Sequence, residues 1–180
     1  MRADASANRV KILDAARTAL AQSGDASMQS VAKAAGIGQG TLYRHFPTRE
    51  ALIMAVHRND VHSLVDAAPK LLASQPAAVA VREWFDKLAV YGRIKHGLGD
   101  ALYSAMRETL SEEGYSSIVD AIGLLLEAGR REGTVRSDID AEEMLLLVGF
   151  LWRIETDAAW QARSSHLLDL VMDAIRPPGR

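Results

Sequence analysis

Apolar residues recur at intervals of three and four along almost the whole of this 180-residue chain, and alternation of period two is nearly absent. Intervals of three and four place apolar side chains on one face of an α-helix, whereas a half-buried β-strand requires period two. The pattern therefore predicts an all-α fold of about nine helices. The predicted segments are residues 8–22, 28–35, 39–46, 48–72, 76–96, 100–111, 115–132, 141–160 and 165–175.

Short polar residues and a glycine mark the ends of several predicted helices. Ser27 precedes the second helix and Thr48 precedes the fourth, where a side-chain oxygen can accept from exposed backbone amides. Asp140 and Glu143 have the spacing of a capping box before the eighth helix. Gly36 follows the second helix at the position where a left-handed residue ends a helix.

The stretch "GIGQGTLYRHF", residues 36–46, places a glycine-rich turn before a short helix of unusual composition. At 100° per residue, Leu42 and Phe46 fall on one face, which we expect to be buried. Gln39 begins the helix and can pair with adenine. The rest of the helix carries a flexible backbone position and groups that hydrogen-bond phosphates or base edges: Gly40, Thr41, Tyr43, Arg44 and His45.

The second helix, this turn and the third helix together have the arrangement of a helix-turn-helix. Lys33 and Arg49 are positioned to neutralise phosphate charge. Residues 1–58 contain eight Lys/Arg and four Asp/Glu, for a net charge of +4, whereas the remainder has a net charge of −6. A basic first third suits a polyanionic partner. Helix pairs with a glycine turn also occur in proteins that do not bind DNA, but "GIGQGT" does not match a phosphate-binding P-loop.

The segment "SMQSVAKAAGIGQGTLYRHFPTREAL" closely resembles the DNA-binding domain of TetR-family transcriptional regulators. The resemblance covers about residues 9–58. It implies a helix-turn-helix domain at residues 1–50, with the start of the fourth helix as connector, and a helical regulatory domain at residues 51–180. The DNA-binding residues that we predict from the helix and from the resemblance are Ser27, Gln29, Lys33, Gln39, Gly40, Thr41, Tyr43, Arg44, His45 and Arg49.

The eighth predicted helix is apolar on nearly all sides through its first half. Such a helix must be covered all round, either within its own chain or by a partner. We expect a homodimer that joins through the last two helices, as the resemblance also implies, and that addresses two half-sites of a pseudo-palindromic DNA operator. The predicted interface residues are Leu147, Phe150, Leu151, Leu167 and Val171.

Aromatic residues and methionine recur at helical spacing in the middle of the chain. On spacing alone such a stripe is most simply a hydrophobic core. The resemblance implies instead a cavity for a small-molecule effector, whose occupation releases the DNA. The predicted lining residues are Trp84, Leu88, Tyr91, Met106 and Trp152.

Catalytic and membrane signals are missing from the sequence. It contains no HExxH or GxSxG motif and no paired-carboxylate constellation, so we expect neither an enzyme nor a cofactor or metal ion. It has no cysteine, no signal-peptide-like N-terminus and no apolar run of membrane-spanning length, which predicts a cytoplasmic protein.

The sequence thus predicts a DNA-binding transcriptional regulator, a repressor released by a small ligand. The alternative is an all-α ligand-binding or protein-interaction module that no longer binds DNA. Placement of Arg44, Lys33 and Arg49 on one surface favours the regulator. Burial of Tyr43 and Arg44, or an acidic surface on the helix-turn-helix domain, favours the alternative.

Overall fold

Eight α-helices and one 3₁₀ helix make up the regular structure of the described residues in the computed structural model, and these residues include no β-strand. The structure describes the backbone of residues 2–23, 27–96, 100–155 and 157–178, and the side chains of residues 7–20, 27–93, 114–155 and 157–178. The helices are α1 Arg2–Ser23, α2 Met28–Ala34, α3 Gln39–His45, α4 Arg49–Ser74, α5 Ala77–His96, α6 Asp100–Arg131, α7 Ala141–Leu147, the 3₁₀ helix Val148–Trp152 and α8 Trp160–Ala174.

The predicted helix ends are confirmed where a nearby side chain or a glycine supplies the signal. Ser27 Oγ accepts from the Ser30 amide at the start of α2, and Thr48 Oγ1 accepts from the Ala51 amide at the start of α4, each at 3.1 Å. Asp140 and Glu143 form the reciprocal capping box of α7. These ends depend on groups only three residues apart, which explains why the sequence predicts them.

The prediction of separate helices at residues 100–111 and 115–132 is wrong, because α6 is continuous from Asp100 to Arg131. Gly114, which lies between the two predicted segments, is inside this helix. A glycine costs a helix only about 1 kcal/mol relative to alanine, so a long helix can contain one without ending.

The eighth predicted helix is also corrected: α7 ends at Leu147 and a 3₁₀ helix follows. Val148 and Leu151, the two buried residues of the 3₁₀ helix, are spaced by three. Because a 3₁₀ helix has three residues per turn, it aligns side chains at this interval on one face, whereas an α-helix rotates them progressively off it. The buried spacing of three accounts for the change of helix type.

The chain divides into two compact units. The first, called here the N-terminal unit, contains Met1–Asp60 and Ile94–Thr109; the second, the C-terminal unit, contains Val61–Arg93 and Leu110–Arg180. In the C-terminal unit, Trp84 is fully buried and its indole Nε1 donates to the Leu64 carbonyl at 2.8 Å. Trp84 is therefore a core residue of this unit, and its buried indole N–H is satisfied by a hydrogen bond.

The turn after α6 depends on a glycine that approaches a neighbour closely. A Cβ added at Gly129 would overlap Val135 Cγ2 and lie 3.0 Å from Val135 Cβ. We expect Gly129→Ala to lower the free energy of unfolding by about 1–3 kcal/mol, because the turn must shift to admit a methyl group. Gly114→Ala, in the same helix and with open space around it, is the matched control and should raise stability by about 0.5–1 kcal/mol. Urea denaturation measures both. Equal stability of the two variants would contradict the steric explanation.

An ion pair joins α1 to α4 within the N-terminal unit. Arg17 Nε lies 3.0 Å from Asp60 Oδ1, and the Asp60 side chain is only 7% exposed whereas that of Arg17 is 45% exposed. Burial raises the pKa of the Asp60 carboxyl, and the neighbouring Arg17 guanidinium opposes this effect. The carboxylate therefore depends on Arg17 for its charge compensation.

Loss of this guanidinium should destabilise the protein in a pH-dependent manner. We expect Arg17→Met to lower the free energy of unfolding at pH 7 by about 1–2 kcal/mol, a value discounted because Arg17 is partly exposed to solvent. A raised pKa means that the folded state binds the proton more readily, so the penalty grows as pH rises above the unfolded value of about 4 and shrinks as pH falls. Denaturation at pH 7 and pH 5 measures this difference, and Arg17→Met/Asp60→Asn should recover the loss. A loss that is equal at both pH values would contradict this role of Asp60.

Candidate nucleic-acid interface

Helices α2 and α3 are joined by a tight turn that is defined by a left-handed glycine and two backbone hydrogen bonds. Gly36 has φ +67°, as predicted for a helix-ending glycine. The Gly36 amide donates to the Lys33 carbonyl at 3.2 Å, and the Ile37 amide donates to the Ala32 carbonyl at 3.0 Å. These two bonds form a Schellman motif, which ends α2 and redirects the chain into α3. The pair of helices has the local geometry of a helix-turn-helix.

One face of α3 is held against the N-terminal unit. Leu42 is completely buried and Phe46 is 2% exposed, as the helical projection predicts. The Arg9 guanidinium carbon on α1 lies 4.7 Å from the centre of the Phe46 ring, in cation–π geometry. This contact was not predicted, because nothing in the local spacing links Arg9 to a ring at the far end of the helix-turn-helix. It gives α3 an anchor at its C-terminal end.

The other side of α3 is accessible. Tyr43 is 48% exposed, Arg44 is exposed, and Thr41 and His45 are half-buried. Arg44 Nε donates to the Gly40 carbonyl and Arg44 Nη2 to Thr41 Oγ1, both at 3.2 Å, so the guanidinium lies along the exposed side of α3. A planar cation, hydroxyl groups and an imidazole are thereby presented on one surface.

The start of α3 leaves room for a ligand to come close to the backbone. Gln39 and Gly40 are both exposed, and a Cβ added at Gly40 would meet nothing within 4 Å. The protein itself therefore does not require a glycine at this position. Close approach of another molecule is the physical use that remains for it.

The predicted phosphate-binding residues surround this surface. Ser27, Gln29 and Lys33 are exposed on or beside α2, and Arg49 is half-buried at the first position of α4. Glu50 is exposed next to Arg49, and hydrogen bonds from its own backbone and from Thr48 lower the pKa of its carboxyl. The surface is thus cationic with one carboxylate that stays ionised at neutral pH.

Two family profiles match the chain and together cover most of it. The profile of the bacterial regulatory proteins of the tetR family matches residues 12–56, and that of the C-terminal domain of SbtR-like transcriptional regulators matches residues 75–177. The second match alone covers more than half of the chain. The chain belongs to the TetR family of transcriptional regulators.

Solved structures and a curated relative agree with this assignment. The TetR transcriptional regulator SCO0520 from Streptomyces coelicolor is 37% identical, with a TM-score of 0.83 over 95% of this chain and 99% of that chain. A TetR regulatory protein from Mycobacterium vanbaalenii is 31% identical, with a TM-score of 0.78 over 97% and 98%. The HTH-type transcriptional repressor Rv1474c of Mycobacterium tuberculosis is 29% identical over 176 residues, which is 94% of each chain.

Membership of the TetR family makes the helix-turn-helix a DNA-binding element and the protein a DNA-binding transcriptional regulator. TetR-family regulators are typically dimeric and typically respond to a ligand. Among the described residues, no helix of this regulator combines the length and the apolar character needed to cross a bilayer.

Four of the five predicted effector-binding residues of this TetR-family chain lie in or beside the core of the C-terminal unit. Trp84 and Leu88 are fully buried, and Tyr91 is 7% exposed. The half-buried Trp152 packs edge-on against Tyr91, with ring centres 6.5 Å apart. The side chain of Met106 lies outside the described residues. The structure therefore brings Tyr91 and Trp152 together as a pair.

The predicted interface residues divide into two groups. Leu147 is 43% exposed, and Phe150 and Leu167 are half-buried. Leu151 and Val171, by contrast, are 1% and 6% exposed and lie in the chain's own core, which leaves them little surface for a partner. Two further apolar residues, Leu146 at 77% and Leu170 at 52% exposure, were not predicted. Helical spacing places these residues on an apolar face, but it does not show whether that face is buried in the chain's own core or left exposed.

Proposed function

We propose that this regulator is a homodimeric repressor that binds a pseudo-palindromic operator and is released by a small-molecule effector. The observation that carries the proposal is the accessible side of α3, which holds Arg44 and Tyr43 outward while Leu42 and Phe46 anchor the helix from behind. This arrangement suits direct contact with base edges in the major groove. The repressor role is inferred from relatives such as Rv1474c, which is named as a repressor.

Within this proposal the chain is divided into a DNA-binding domain at residues 1–50 and a regulatory domain at residues 51–180. The residues that contact base edges or approach the groove are Gln39, Gly40, Thr41, Tyr43, Arg44 and His45. The residues that contact phosphate are Ser27, Gln29, Lys33 and Arg49. The protein has no catalytic role, and it acts in the cytoplasm because its target is chromosomal DNA.

The dimer forms through α7, the 3₁₀ helix and α8 of each subunit. Support comes from the large apolar side chains exposed on α7 and α8, since exposed apolar surface marks protein interfaces more often than it occurs on monomers. Leu146, Leu147 and Leu170 are the exposed members, and Phe150 and Leu167 are the half-buried ones. A two-fold axis through this surface presents two helix-turn-helix elements to two half-sites.

Selection of bound duplexes from a random pool, at a stated salt concentration, tests the proposal. The enriched sites should be inverted repeats. The logarithm of the binding constant should fall linearly with the logarithm of salt concentration, because Lys33, Arg49 and other cations of the protein displace counterions from the DNA phosphates. Enrichment of single half-sites would contradict the dimeric mode of binding. Failure to enrich any sequence at low salt would contradict DNA recognition itself.

A further inference from the structure

Two buried nitrogen donors on contacting side chains of the C-terminal unit have no acceptor within the described structure. Trp160 is 6% exposed, and its indole Nε1 is buried without a hydrogen-bond partner. Arg93 Nε is likewise buried without a partner. The Arg93 guanidinium carbon lies 4.9 Å from the centre of the Trp160 ring, so the two donors belong to one local cluster at the end of α5 and the start of α8.

Such a pair of donors requires an explanation, because buried N–H groups in native proteins almost always have an acceptor. Trp84 in the same unit illustrates the usual situation, since its Nε1 donates to the Leu64 carbonyl. Arg82 and Arg130 also have a buried Nε without a partner, but each forms an ion pair with a carboxylate through its other nitrogens. Arg93 forms no ion pair with any residue that the structure describes. Within the described side chains, this half-buried cation and the indole N–H beside it therefore have no anionic partner.

The surroundings of this cluster are apolar and aromatic. Trp160 is part of the buried hydrophobic core of the C-terminal unit, which also includes Tyr91 and Ile154, and Trp152 packs against that core. Gly92, next to Arg93, lets the Trp152 ring approach α5, because a Cβ there would lie 2.8 Å from Trp152 Cε3. An anion that reaches Arg93 and Trp160 is thus expected to carry an apolar body rather than to be a small hydrated ion.

We propose that Arg93 and Trp160 form an oxyanion-binding site, and that the effector is an amphipathic organic anion. One oxygen of its carboxylate or phosphate group accepts from Trp160 Nε1, another accepts from Arg93 Nε, and its apolar part packs against the Tyr91–Trp152 pair. A charged acceptor suits these donors because hydrogen bonds to an ionised partner are shorter and stronger than neutral ones. The assignment of the anion as effector rests on the proposed repressor function; the binding site itself does not.

Calorimetric titration of the purified full-length protein tests the site with matched sets of probes, each of which shares one apolar body and differs in its polar group. Octanoate, octyl phosphate and 2-naphthoate are the anions, and octan-1-ol and 2-naphthol are their neutral counterparts. At least one anion should bind tenfold or more tightly than its counterpart and raise the melting temperature. Tighter binding of octanoate or of octyl phosphate distinguishes a carboxylate from a phosphate ligand. If no anion binds, or if the neutral counterparts bind equally well, the donors are satisfied by water and the proposal is wrong.

Variants place the binding at the two named donors. Arg93→Met should weaken binding of the anion by about tenfold or more, and Arg93→Lys, which keeps the charge but not the planar fork, should fall between. Trp160→Phe removes the indole N–H while keeping an aromatic ring, and its fold is checked by circular dichroism. Arg163→Met on α8 is the matched control, because Arg163 forms an exposed ion pair with Asp157. This variant should bind the anion as tightly as the wild type does. Unchanged anion affinity in Arg93→Met would overturn the site.

The effector role is tested separately with the operator recovered by selection. The binding anion should release the wild-type protein from this DNA at concentrations that leave Arg93→Met bound. An anion that binds the wild type but releases no DNA would overturn the effector role and keep the oxyanion site. Failure to recover any operator would contradict the proposed function, while the calorimetric result would still decide the site.

Discussion

Arg44→Ala is expected to weaken binding of the selected operator by at least about thirtyfold, the largest effect on DNA binding that we predict for a single side chain. A side chain that contacts a base edge contributes about 1–3 kcal/mol of discrimination, and both subunits of a dimer carry the change, so the loss is about 2–6 kcal/mol per dimer. Arg44 is exposed, and within the described part of the chain its hydrogen bonds run to its own helix, at Gly40 and Thr41, so the fold does not depend on it. Fluorescence anisotropy at constant salt measures the loss.

Arg58→Ala is the matched control for this variant. Arg58 is exposed on α4 in the same unit and its removal changes the net charge equally, but it lies outside the helix-turn-helix. Its loss should cost little beyond the general electrostatic attraction. Equal affinities of the two variants would mean that Arg44 acts only through its charge, and would refute direct recognition by α3. Tyr43→Ala should resemble Arg44→Ala, because Tyr43 is exposed on the same helix.

Leu147→Glu is expected to weaken the dimer by at least about a hundredfold. Full burial of a leucine side chain is worth about 1.5–3 kcal/mol, of which Leu147 has less than half left to gain on dimerisation; a two-fold interface loses this contribution twice and must also desolvate two carboxylates, which is the larger cost. Leu147 is 43% exposed in the single chain, so its replacement is tolerated by the fold. Phe150 packs against the core of its own subunit, and a charge there would confuse dimerisation with folding. Analytical ultracentrifugation over a concentration series measures the dissociation constant.

Val90→Glu provides the comparison for the dimer prediction. Val90 is 40% exposed on α5, so the same charge is introduced at a similarly exposed apolar position outside α7 and α8. The dimer should persist in this variant. A dimer of Leu147→Glu as strong as that of Val90→Glu would refute the proposed interface.

The part of the structure that could be predicted from the sequence is the part governed by neighbouring residues. The caps at Ser27 and Thr48 and the left-handed Gly36 depend on groups within a few positions of one another. The buried face of α3 follows from the helical period, because Leu42 and Phe46 are four residues apart. The proposed DNA-binding surface is built almost entirely from such local features. For this reason its residues can be named before the tertiary structure is known.

The sequence-based prediction is less accurate where packing against a distant segment determines whether a helix continues or which type of helix forms. The sequence predicts two helices, at residues 100–111 and 115–132, where the structure has the single helix α6; the glycine and polar residues between them have the same appearance in a turn and in a helix. The segment after Leu147 was predicted as α-helix, because spacings of three fit both helix types until burial identifies the side chains that share a face. In each case the local propensities for the two structures are similar, so tertiary contacts determine which of the two structures forms.

The sequence by itself determined the class of fold, the helix-turn-helix and the family, since these depend on short-range periodicity and on a motif continuous in the chain. Only the tertiary structure decided that Leu151 and Val171 face their own core while Leu146 and Leu170 remain exposed. It alone placed Arg93 against Trp160, two residues on different helices. The physical reason is that burial and hydrogen-bond satisfaction are properties of contacts between segments remote in sequence, and no local pattern records which segments will meet.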